Sequence, residues 1–248
     1  MSDDQQTEYP AEYLAIAPAM KRGDVASVVK LVDWQSGIPG DTGTFSQTLL
    51  VQLRAIEALQ PVPGPEITEL LLRKYAEYDD FNRHEVVEAI AQRDDLKSRA
   101  FVAEILESAD PAIIKSVIVA LGDSARSLDP KVLDLLVAKL TAGNLDYFAK
   151  GQAFDAIAAS HPEQAAALVP GLLEQTLREQ DPFVIHLLQW CHLKKLKLPL
   201  DLLERVVEFH RNRFVTWDAI KLIRRVRTKE AKTLAKRLEE SADPPEIG

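Results

Sequence analysis

Asp110-Pro-Ala-Ile-Ile-Lys-Ser-Val-Ile-Val-Ala-Leu-Gly122, followed by Lys131-Val-Leu-Asp-Leu-Leu-Val-Ala-Lys-Leu140, decides the fold of this chain. In the first stretch Ile113, Ile114, Val117, Ile118 and Leu121 recur at helical spacing. In the second, Val132, Leu133, Leu136, Val137 and Leu140 form one stripe. Asp110 before Pro111 reads as an N-cap followed by a proline at the first helical position, where the missing N–H has no helical partner to lose. Asp129 before Pro130 repeats that signal. The whole is a helical hairpin with one wide apolar face, which a single hairpin cannot bury by itself.

The same hairpin recurs about six times along the chain at a period of roughly 33 residues. Second helices are expected to start near Pro65, Leu96, Pro130, Pro162, Pro199 and Thr228, with Asp95, Asp129 and His161 in capping positions. First helices are expected near Thr44, Phe81, Asp110, Asn144, Asp181 and Phe214. Residues 146–160 carry the stripe Phe148, Ala153, Phe154 and Ile157, and residues 162–178 carry Ala166, Leu168, Val169, Leu172, Leu173 and Leu177. No segment alternates with the period of a strand. The expected fold is all-α: an α-solenoid of about six antiparallel helix pairs with an N-terminal capping helix. An irregular helical bundle is the competing arrangement.

Residues Asp110 to Leu140 resemble a HEAT repeat: Asp-Pro, an apolar helix ending Ala-Leu-Gly-Asp, then a proline-led second helix. The resemblance extends over residues 44–241, and it implies a right-handed superhelix whose second helices line a concave groove. The tetratricopeptide pattern and the ankyrin Thr-Pro-Leu-His are not visible.

The chain reads as a disordered N-terminus (1–9), capping helices and a loop (10–43), the repeat array (44–241) and a flexible tail (242–248). The loop Trp34-Gln-Ser-Gly-Ile-Pro-Gly-Asp-Thr-Gly43 is rich in turn formers and is expected to be mobile. No basic leader and no membrane-length apolar run is visible, so a cytoplasmic location is expected. The single cysteine, Cys191, rules out an internal disulfide framework and is expected to pack as a small apolar group.

Chemistry is hard to find. His84-Glu85 is one dipeptide, where the HEAT-like deoxyhypusine hydroxylases bind iron through several. His186 and His192 are six apart and miss the spacing that puts two ligands on one helical face. Cys191-His192 point in different directions on a helix, and no nucleophile elbow or phosphate-cradling loop is present. Asp79-Asp80 and Asp94-Asp95 are accounted for as helix-start carboxylates. No metal and no cofactor is expected, and the chain is not expected to be an enzyme.

Charge is the remaining signal. The net charge is −8, yet Lys194 to Arg237 holds 14 Lys/Arg against 5 Asp/Glu. The other residues hold 16 basic against 33 acidic, net −17. On the helix expected over 215–227, Trp217, Ile220, Ile223 and Val226 would be buried, leaving Lys221, Arg224, Arg225 and Arg227 outside. Together with Arg211 and Arg213 these form the candidate contact for a protein partner with an acidic patch. A solvated terminal cap is the plain alternative. Head-to-tail self-association is another. The opposite-class alternative is a nucleic-acid enzyme similar to the HEAT-like alkylpurine DNA glycosylases, which use a basic groove holding aromatic and acidic residues. Trp217-Asp218 is the one correspondence, and the acidic first four repeats are unsuited to a duplex.

Overall fold

A computed structural model of the chain describes residues 9–41, 46–108, 110–124, 127–178 and 180–241. Among the described residues there are fourteen helices and no strand. The chain divides into two compact units, Met1–Ser124 and Ala125–Gly248.

The first unit holds α1 (Ala11–Lys21), α2 (Val25–Leu31), α3 (Gln47–Leu59), α4 (Pro65–Glu77), α5 (Asp80–Ala91), α6 (Leu96–Glu107) and α7 (Pro111–Ser124). Helices α1, α3, α5 and α7 pack side by side in that order, with α4 against α6 beside them. The second unit holds α8 (Pro130–Thr141), α9 (Tyr147–Ser160), α10 (Pro162–Thr176), α11 (Phe183–Leu193), α12 (Leu200–His210), α13 (Arg213–Ile223) and α14 (Lys229–Ser241). Here α9, α11 and α13 form one row, and α10 packs on α12 beside it. The stretch that resembles a HEAT repeat is split between the units, α7 in one and α8 in the other.

Local chemistry explains where the helices begin. Pro65, Leu96, Pro130 and Pro162 open their helices as expected. Pro199 is instead the cap before α12, and α14 opens at Lys229. Asp95 and Asp129 accept hydrogen bonds from backbone N–H groups of the first turn, Ser98 and Lys131. His161 departs from expectation: its side chain caps nothing, and its Nδ1 lies 2.8 Å from the Ser160 hydroxyl. The helix expected near Asn144 begins at Tyr147, because Asp146 is the cap, 2.8 Å from the Ala149 N–H. The start expected at Thr44 lies outside the described residues; α3 opens at Gln47, capped by Ser46.

The core follows the predicted stripes with instructive exceptions. All five stripe residues of α7 are buried, as are Val132, Leu133, Leu136 and Leu140 of α8. Phe148 is a correction: it is 47% exposed, while Ala149, Ala153, Phe154 and Ile157 face inward. Of the stripe expected over 215–227, Ile220 and Ile223 are buried but Trp217 and Val226 are only half-buried. Helix α13 ends at Ile223, short of Val226, and it is covered by α11, α12 and α14, so Val215, Ala219 and Leu222 are buried as well.

In the described part of the loop after α2, residues 34–41, hydrogen bonds tie the chain to α3. Asp41 accepts from the Gln47 and Thr48 N–H groups at 2.8 and 2.9 Å, and the Ser36 N–H donates to the Thr48 hydroxyl at 3.0 Å. Gln52 donates to the Trp34 carbonyl at 2.9 Å. Residues 42–45 lie outside the described residues, as do residues 1–8 and 242–248 of the two ends. Tyr9, assigned from sequence to the disordered end, stacks on Tyr13 with centroids 4.6 Å apart.

Candidate functional site

Residues about 33 apart tie neighbouring hairpins together, and these ties absorb many of the polar groups that sequence leaves unexplained. Between second helices, Arg205 donates to Glu174 at 2.8 Å, Arg237 pairs with Glu204, and Lys97 pairs with Glu69. Between first helices, His84 Nδ1 meets the Ser116 hydroxyl at 2.6 Å and His186 Nε2 meets Asp155 at 2.9 Å.

The histidines therefore have separate partners. His192 Nε2 lies 3.3 Å from the Arg225 guanidinium, and His210 lies 3.2 Å from the Thr176 hydroxyl, with burial lowering its pKa. Among the described residues no group of His, Cys, Asp and Glu has the arrangement to hold a metal ion. Cys191 is fully buried, and burial pushes its thiol up to about 12. A thiol at that value stays protonated at neutral pH and is a poor nucleophile.

The six basic residues singled out from sequence divide into two groups. Lys221 sits 2.8 Å from Asp218, whose carboxylate is buried. Arg224 pairs with Glu239 of α14. Arg225 is half-buried and donates to the His192 carbonyl at 2.5 Å, capping the C-terminal end of α11. A cation there offsets the negative end of the helix dipole and satisfies an orphan carbonyl. The expectation that Arg225 faces outward with the others is thus corrected: the half-turn past α13 directs it back to the preceding first helix.

Arg211, Arg213 and Arg227 remain exposed, with no ion-pair partner among the described residues. Arg211 ends α12 in the left-handed region (φ 45°), where glycine or asparagine is the usual choice. Arg213 opens α13 and lies 5.0 Å from the Phe214 ring centroid. Arg211 and Arg213 line a cleft of about 710 Å³ with Val207, Glu208, Thr216, Arg237, Leu238 and Ser241. Arg227 is not among its walls. Arg237 closes the basic stretch of the sequence, but nothing local signals that it shares a cleft with Arg211, which comes from the packing of α14.

The Trp217-Asp218 pair is part of the packing. Asp218 is engaged by Lys221, and the indole N–H of half-buried Trp217 is enclosed. No helix among the described residues is long and apolar enough to cross a membrane. No family model, no curated protein and no solved structure matches this chain.

Proposed function

We propose that this chain is a non-catalytic protein-binding scaffold, a HEAT-like α-solenoid that takes an acidic segment of a partner protein in the cleft between α12, α13 and α14. The observation that carries the reading is the contrast within the basic end. Lys221, Arg224 and Arg225 are satisfied internally, whereas Arg211 and Arg213 stand unpaired at the rim of a 710 Å³ cleft. Unpaired guanidinium groups with apolar Val207 and Leu238 beside them suit carboxylates on a peptide that also buries an apolar side chain. The side-by-side rows in each unit and the ties between hairpins support a repeat architecture, which offers an extended surface.

The test is quantitative capture from source lysate at physiological salt, comparing wild type with Arg211→Glu/Arg213→Glu. Acidic partners retained by the wild type should fall by about tenfold or more in the variant, since charge reversal at a recognition rim costs on the order of 1–2 kcal/mol. Melting temperature should stay within a few degrees, because both side chains are exposed. Unchanged capture would overturn the reading. A duplex-DNA titration at low salt, with affinity falling steeply as salt rises, would favour the nucleic-acid class instead. Salt-sensitive light scattering would identify a second copy of the chain as the occupant.

A further inference from the structure

A second groove lies between α9 and α11, lined in part by Tyr147, Phe148, Gly151, Asp155, Phe183 and His186, with a volume of about 340 Å³. Tyr147 is 60% exposed and Phe148 47%, so two large aromatic side chains stand at the surface of a helix whose inner face is fully provided for by Phe154 and Ile157. Between them and α11 sits a polar pair held in one orientation. His186 Nε2 lies 2.9 Å from Asp155 Oδ1, its ring stacks on Phe183 at 5.9 Å, and the edge of Phe154 meets it at 6.0 Å. A carboxylate only accepts, so Nε2 carries the proton, and in the neutral ring Nδ1 offers a lone pair. The Nδ1 edge lies toward Gly151, and neither Nδ1 nor Asp155 Oδ2 has a hydrogen-bond partner among the described residues.

Gly151 is the telling residue. It sits in the interior of an alanine-rich helix, where glycine is less stable than alanine. A Cβ there would meet nothing nearer than the His186 ring at 3.9 Å, so helix packing does not require glycine. What its absence leaves open is the floor of the groove beside the acceptor edge of His186.

We propose that this groove is a receptor for an arginine side chain of a partner protein. Two fixed acceptors, Asp155 Oδ2 and His186 Nδ1, match a group with several divergent N–H donors, and the aromatic side chains of Tyr147 and Phe148 match its flat face. The carboxylate makes the groove complementary to a cation, and the planar guanidinium uses the aromatic walls better than a compact ammonium does. The inference rests on the reading of the chain as a protein-binding scaffold and adds a second, oppositely charged contact to it.

The experiment is an NMR titration of full-length protein, following the Gly151 amide and the His186 ring, with acetyl-Gly-Arg-Gly-amide, its uncharged citrulline isostere and its lysine counterpart. Arginine should give saturable shifts at both positions, with citrulline and lysine each weaker by about fivefold or more. Asp155→Asn and Phe148→Ala, both surface changes, should each weaken the arginine peptide by about fivefold or more. Absence of saturable shifts at Gly151, equal binding of citrulline or lysine, or unchanged binding by both variants would overturn the assignment. Arg211→Glu/Arg213→Glu should leave this titration unchanged, so loss of partner capture in that variant and loss of arginine binding here are separate results.

Discussion

Arg93 and Arg225 occupy the same place in two hairpins, one in each unit. Each follows the C-cap of a first helix, α5 or α13, and each reaches back 33 residues to carbonyls at the end of the preceding first helix, Gln60 or His192. Their surroundings differ. Arg93 is 5% exposed and donates to the carbonyls of Leu59, Gln60, Val62 and Gly64 as well as to the Thr68 hydroxyl. The turn Gln60-Pro-Val-Pro-Gly-Pro65 has three prolines, which have no N–H, so its carbonyls outnumber its donors and a multi-donor side chain is needed. Arg225 meets a turn, residues 194–199, with a single proline, donates to one carbonyl and one ring nitrogen, and stays half-buried. The same positional role is therefore structural in both hairpins but differs in weight, and an arginine in a charge cluster is not thereby a contact residue.

The difference can be broken most directly at Arg93. Arg93→Ala should destabilise by about 3 kcal/mol in urea unfolding, because it strands one buried and three part-buried carbonyls at once. Arg225→Ala should cost about 1 kcal/mol, with faster hydrogen exchange at the end of α11. A loss at Arg225 equal to that at Arg93 would remove the distinction. Lys221→Ala should also cost about 1 kcal/mol, since it leaves the buried Asp218 carboxylate without the lysine it pairs with, discounted because Lys221 itself is half exposed. Arg227→Ala, with no partner to lose, should shift stability by less than about 0.5 kcal/mol.

A smaller, local effect concerns pH. Hydrogen bonds from the Ser36 hydroxyl and from the Thr48 and Gln47 N–H groups lower the Asp41 pKa from 3.8 to about 2. A depressed carboxylate pKa adds stability above the unfolded value that is lost as the folded group protonates. Exchange protection of the Gln47 and Thr48 amides should therefore be full above pH 4 and fall as pH drops from about 4 toward 2. Protection unchanged at pH 2 would mean the Asp41 anchor does not hold this loop.

Much of the fold was legible because its signals are local. A capping aspartate acts on N–H groups two or three residues away, as Asp95 and Asp129 do, and an apolar stripe such as Ile113 to Leu121 is set by the 3.6-residue turn. The candidate site was legible only as a count of charges. Nothing near Arg224 in sequence announces Glu239, and nothing near Arg225 announces the His192 carbonyl. Phe148 is a different case: it stands six residues before Phe154, a spacing that puts the two on different faces of α9, and it lies outside the packed face although the stripe expected from sequence includes it.

By itself, then, the sequence determined that the chain is helical, where most helices begin, and that its positive charge gathers toward residue 237. Only the tertiary structure decided which of those charges are paired within the chain, which stand free at a cleft, and that α7 and α8 belong to different compact units. The physical reason is range. Helix formation and capping are settled within a few residues, whereas pairing and burial depend on the register of helices whose contacting residues are about 33 apart along the chain.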